Sequence, residues 1–191
     1  MSKLKKKQKV TLIVVFGIIA FLLTVAVIVF LFYLALGHVD YGRLYNQYAA
    51  DKDNFRCFNV TIDELHVDEE YGRAWFRIAT IDDDDYYKRY GEKYNDTYFL
   101  GTGFEIKGKT FDTLAESDFF DVVYGYTVVT IYSNPQYHWH GYHYPVVGVS
   151  IGDKVYVDFE TGYQNLLDYL KQMRKEYNFL QTPIREYKKE N

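Results

Sequence analysis

Apolar residues follow two regimes along this chain. Residues 10–36 run without a charge for 27 positions, and beyond them apolar residues recur only in short alternating or helical patterns. As a helix with a rise of about 1.5 Å per residue, the first stretch would be about 40 Å long. The hydrocarbon core of a bilayer is about 30 Å thick, so this stretch can span a membrane with tilt to spare. Lys3, Lys5, Lys6, Lys7 and Lys9 precede it with no acidic residue among them. Basic flanks stay in the cytoplasm, which predicts residues 1–9 as a cytoplasmic tail and the C-terminal side as extracytoplasmic. A cleaved signal sequence is the competing reading, since Ala35 and Gly37 are small residues just ahead of His38. Signal cores run only about 7–15 residues, and the longer run favours a retained, single-pass anchor. The lipid bilayer is then the first partner.

Beyond the anchor the period changes. Residues 37–53 form a polar, aromatic juxtamembrane segment in which Leu44, Tyr45, Tyr48 and Ala49 fall at helical spacing. The extracytoplasmic domain is expected over residues 54–191. Phe58, Val60 and Ile62 alternate with Asn59, Thr61 and Asp63, the period of a strand. Residues 68–72 read as a turn, and 74–81 as the returning strand. A charged helix is expected over 82–94, a third strand over 97–107, a short helix over 110–119 and a fourth strand over 126–133. Residues 145–151 and 154–159 flank Gly152-Asp153, a two-residue hairpin signal. The final element is an amphipathic helix with Tyr163, Leu166, Leu167, Leu170, Met173 and Tyr177 on one stripe. Asp158, Glu160 and Thr161 offer capping chemistry at its start.

These elements predict an N-terminal transmembrane helix followed by an α+β ectodomain. The domain is expected to be mainly antiparallel β with a C-terminal amphipathic helix. Three strands, a short helix and two further strands follow the order of an oligonucleotide/oligosaccharide-binding (OB-like) barrel, here with an added hairpin strand.

Charge narrows the partners. The net charge of −4 divides unevenly, because all 26 acidic residues follow the apolar run with 17 of the 22 basic ones, leaving −9 there. Phosphate backbones call for clustered Lys and Arg, so nucleic acid is a poor expectation. Twenty of the 21 tyrosines and both tryptophans lie in the same part, a composition that suits strands and recognition surfaces. Cys57 is the single cysteine, so no intrachain disulfide can form, and its place inside a strand reads as a buried, inert thiol. Asn59-Val60-Thr61 and Asn95-Asp96-Thr97 are glycosylation sequons only in a eukaryotic secretory context. The lack of disulfides suits a bacterial envelope.

Several motifs imitate catalytic sites. Residues 103–110, Gly-Phe-Glu-Ile-Lys-Gly-Lys-Thr, spell a phosphate loop, but their inner positions alternate as a strand where that loop must wrap an anion. Gly148-Val149-Ser150-Ile151-Gly152 spells an esterase elbow, yet Ser150 lies in a strand entering a hairpin and every histidine precedes it. Asp82 to Asp85 lack the glycine and glutamate of a calcium loop at the sixth and twelfth positions.

The segment 136–144 carries the strongest candidate chemistry. Tyr137, Trp139, Tyr142 and Tyr144 are expected to bind a ligand, because aromatic side chains with polar tips concentrate at recognition surfaces. An envelope glycan or an envelope protein suits such a surface. His138 and His140 face the same way in an extended segment. With His143 beyond the Gly141 bend they could hold zinc and serve a metal-dependent hydrolase. A binding module with no catalytic role and no cofactor is the first expectation, and the zinc site the alternative.

Overall fold

The computed structural model describes residues 2–37, 39–82, 103–134 and 144–185. The chain divides into two compact units, Met1–Val39 and Asp40–Asn191. The first is helix α1 (Ser2–Gly37). Its stretch Ile13–Phe32 is long and apolar enough to cross a membrane, and it buries none of its side chains within the protein. Thr24 donates its hydroxyl to the Ala20 carbonyl at 2.9 Å, which satisfies the polar group inside the helix.

The second unit is a barrel with helices on its outside. Its strands are β1 (Arg56–Asp68), β2 (Arg73–Ile81), β3 (Gly103–Lys107), β4 (Val128–Ser133), β5 (Tyr144–Ile151) and β6 (Lys154–Val157). Antiparallel pairs join β3 to β2, β2 to β1, β1 to β4 and β4 to β5, and a parallel pairing of β3 with β5 closes the ring. Five strands therefore form the wall, and β6 extends it antiparallel from β5. Phe58, Val60, Ile62, Ile78, Phe76, Phe104, Ile106, Val129 and Ile131 point inward and are almost fully buried. Of the helix expected at 82–94, Asp82 is a bend bonded to Asn59 and the rest lies outside the described residues, as does the start of the expected third strand.

A bulge in β1 between Thr61 and Glu64 changes its phase. Before it, Phe58, Val60 and Ile62 are the inward set. After it Leu65 faces Phe76, while Glu64, His66 and Asp68 pair with Arg77, Trp75 and Arg73. An extra residue of this kind re-aims every side chain beyond it.

Helices α2 (Tyr41–Ala50), α3 (Lys109–Ala115), α4 (Phe119–Val122) and α5 (Phe159–Glu176) complete the unit. Asp158 caps α5 by accepting from the Thr161 amide at 3.0 Å, and Tyr163, Leu166, Leu167 and Leu170 are buried as its stripe requires. Tyr177, the last expected member of that stripe, is exposed at the helix end. α5 packs on β5 so closely that a Cβ at Gly162 would lie 1.5 Å from the Val147 carbonyl oxygen. β5 is thus covered on both faces. This explains its unbroken burial from Tyr144 to Val149.

α2 packs on α5, and the Tyr163 hydroxyl donates to the Tyr48 carbonyl at 3.0 Å. Asp40 caps α2 through the Arg43 amide at 3.0 Å, and its carboxylate also accepts from the Thr182 amide and hydroxyl at 2.9 and 2.5 Å.

Cys57 departs from its expected placement. It lies in β1 but is exposed, because the inward phase belongs to Phe58 and its neighbour in sequence must face out. There it sits opposite Tyr132 across the β1–β4 pair. A hydrogen bond with Cys57, and the negative charge its thiolate form carries, raise the Tyr132 pKa.

Candidate binding face on the outside of the barrel

The outward phase of β1 and β2 gathers a compact group of aromatic and charged side chains. Across the hairpin, the His66 and Trp75 rings stack with centroids 5.0 Å apart and planes 14° from parallel. The Arg73 guanidinium lies 5.3 Å from the centroids of both Trp75 and Tyr71. Such cation–π contacts contribute about 0.5–1 kcal/mol each at exposed sites.

Carboxylates hold the cations in place. Asp68 accepts from Arg73 Nε at 3.0 Å and pairs with Nη2 at 2.9 Å. Asp63 engages Arg77 through Nε at 3.0 Å and Nη2 at 2.9 Å, while Glu64 reaches the same Nη2 at 3.0 Å. Glu64 also contacts His66 Nε2 at 2.9 Å. These partly exposed ion pairs contribute little stability singly. Their effect is positional: they hold flat donors and carboxylate acceptors around one indole.

The transverse row continues over β3. His66 pairs with Trp75, Trp75 with Glu105, and Glu105 with Pro145 of β5. Glu105 faces outward by strand phase yet is only 3 % exposed, and it pairs with Lys107, 10 % exposed, at 2.8 Å. The ammonium approaches Glu105 Oε2 outside hydrogen-bond geometry, so the contact is ionic. Burial raises the pKa of Tyr169 and of Tyr41, and the nearby Glu105 charge adds to both shifts. Both phenols therefore stay protonated at neutral pH and can donate hydrogen bonds.

Of the residues that sequence reasoning favoured, Tyr137, His138, Trp139, His140, Tyr142 and His143 lie outside the described residues. Tyr144 opens β5. It is buried, with its ring 5.9 Å from Phe104. The two anchors of the intervening segment are well fixed: Asn134 is buried, and Ser133 donates to the Pro145 carbonyl at 2.7 Å. Among the described residues no group of three or more His, Cys, Asp and Glu side chains could hold a metal ion.

The phosphate-loop and esterase-elbow spellings resolve as their patterns required. Residues 103–107 are strand β3, Gly108 turns with φ 58°, and α3 follows. Ser150 lies in β5 ahead of the Gly152 hairpin turn. Asp82 is committed to β1, accepting from the Asn59 amide at 2.8 Å and from Asn59 Nδ2 at 2.6 Å. That places the first sequon's asparagine mid-strand with its side chain already engaged.

Sequence reasoning missed the Trp75 group. The available signal was the polar phase of β2, Arg73-Ala74-Trp75-Phe76-Arg77, with both large cations flanking the indole. No protein-family model, no curated protein and no solved structure matches this chain.

Proposed function

We infer that this protein is a membrane-anchored extracytoplasmic binding module with no catalytic role, held in the cell membrane by α1 and displaying the barrel outside. The supporting observation is the His66–Trp75–Arg73 stack framed by Asp63, Glu64, Asp68 and Arg77 on the outer face of β1 and β2. A five-stranded barrel closed in the order β1-β2-β3-β5-β4 supports the OB-like reading of the domain. Such barrels bind oligomers on the face around their second and third strands and with the loops after the first and fourth. Here the Tyr71 turn follows the first strand, and the aromatic sequence 135–143 connects the fourth to the fifth. An indole edge beside fixed carboxylates and guanidiniums suits the hydroxyls of an envelope glycan, and an envelope protein is the next candidate. The balanced charge of the face gives it no preference for a polyphosphate.

Two experiments test this reading. A reporter active only in the cytoplasm, fused after Asn191, stays silent if the domain is outside; a bright signal reverses the orientation. Full-length protein in detergent micelles should co-sediment with purified cell-wall polymer, and Trp75→Ala should weaken that binding. A second reading rests on the His138-Trp139-His140 alternation with His143, a zinc site serving a metal-dependent hydrolase. Elemental analysis of protein purified without a histidine tag, finding stoichiometric zinc, would favour it.

A further inference from the structure

The segment after α5 is held against the start of α2 by an unusual density of bonds. Besides the Asp40–Thr182 pair, Gly42 N–H donates to Gln181 Oε1 at 3.3 Å, and Asn46 Nδ2 donates to the Pro183 carbonyl at 2.8 Å. Arg185 N–H donates to Asn46 Oδ1 at 2.8 Å, and Arg174 Nε to the Thr182 carbonyl at 2.8 Å. A Cβ at Gly42 would lie 1.9 Å from the Thr182 oxygen, so the two backbones touch. The Tyr41 and Tyr177 rings lie 5.9 Å apart. Tyr177, Phe179 and Leu180 are nonetheless 60, 52 and 55 % exposed, and Leu180 is fixed with φ 51°. Three large apolar side chains are thus presented to solvent by a rigidly tied segment.

Chain connectivity bears on what lies near them. Asp40 follows Gly37, the last residue of α1, by three residues. Extended chain spans at most about 3.6 Å per residue, so Asp40 stays within about 11 Å of the end of α1. If α1 spans the bilayer, Asp40 and the segment bonded to it lie at the headgroup region. Arg43, Lys175 and Arg185 are exposed around the same bonds, in a part of the chain whose net charge is −9. Aromatic residues concentrate at the membrane interface, and cations favour anionic headgroups.

We propose that Tyr177, Phe179 and Leu180 insert into the membrane interface as a second, peripheral contact, with Arg43, Lys175 and Arg185 against anionic headgroups. The contact sets which way the domain faces above the bilayer. It rests on the reading of α1 as a membrane span, and the test separates the two.

In a Cys57→Ser background, the full-length protein carries a single cysteine at position 179, 22 or 164 (Phe179→Cys, Leu22→Cys or Gln164→Cys). Each variant is labelled with an environment-sensitive dye and reconstituted into phosphatidylcholine–phosphatidylglycerol vesicles containing lipids spin-labelled near the headgroup or deep in the chain. Gln164 lies about 20 Å along α5 from Tyr177 and serves as the wet control. The expected result is loss of most emission at position 179 with the headgroup-proximal quencher, quenching at 22 with the deep one, and none at 164. Quenching at 22 with none at 179 overturns the interfacial contact and leaves the anchor standing. No quenching at either overturns the anchor and this proposal with it. A blue-shifted but unquenched label at 179 means that protein covers the segment, and this too overturns the proposal.

Discussion

β5 and β2 are both wall strands of the same barrel, yet their outer faces have opposite fates. The outer face of β5 is sealed by α5, whose Gly162 lets the helix backbone meet the Val147 carbonyl. On the outer face of β2, Arg73 and Trp75 are half-buried and Arg77 is exposed, each side chain held by its neighbours on β1. On the proposed reading, fold stability and recognition fall on different sides of one ring. A mutation on the sealed side should unfold the domain, and one on the open side should alter binding while the fold survives.

The sharpest way to break this contrast is to attack the sealed side. As a yardstick from inside the barrel, Phe104→Ala empties a fully buried position between Phe76 and Tyr144 and should cost about 3–5 kcal/mol in denaturant unfolding. Gly162→Ala forces a methyl into the Val147 carbonyl and should cost about 3 kcal/mol, the upper range of overpacking. A Gly162→Ala protein with unchanged stability would mean that α5 does not seat on β5 as described.

On the open side the effects should be smaller. Trp75→Ala removes ring contacts with His66 and Arg73 and should cost about 1 kcal/mol of stability, far below a core aromatic. Asp40 gives a pH-dependent counterpart at the α2 start. Burial pulls its pKa up, but hydrogen bonds from the Thr182 hydroxyl, the Thr182 amide and the Arg43 amide outweigh it, and the folded value lies below 3.8. A depressed folded pKa contributes stability above the unfolded value and loses it as pH falls through the folded one. Unfolding midpoints should therefore drop below about pH 4, and Asp40→Asn should flatten that drop. Smallest of all is Cys57→Ser, which should stay within about 0.5 kcal/mol as a surface change. In the same folded state a maleimide should label Cys57 without denaturant.

Much of the barrel was legible from alternation. Phe58, Val60 and Ile62 announced β1, Gly152-Asp153 the last hairpin, and the leucines of α5 its buried stripe. The Trp75 group was not legible, for a local reason. Extending the 58-60-62 alternation places Glu64 and His66 inside, and only the bulge turns them outward to meet Arg77 and Trp75. Glu105 is the opposite case: its phase points out, yet it is buried, and no strand pattern encodes that burial. Cys57 was legible and misread, since its parity with Phe58 already placed it on the outer face. The histidine and aromatic candidates of 137–143 lie outside the described residues, and they remain part of the proposal through their chemistry and the fixed positions of Asn134 and Tyr144.

The central claim is that the open face of β1 and β2 carries recognition. Its most direct test is co-sedimentation of full-length protein with purified cell-wall polymer, comparing wild type, Trp75→Ala and a Thr113→Ala control at an exposed position of α3, each first shown to be folded by thermal unfolding. The account predicts that Trp75→Ala loses about tenfold in affinity, equivalent to about 1.4 kcal/mol, while Thr113→Ala binds as wild type. A folded Trp75→Ala protein that binds the polymer with wild-type affinity would contradict it.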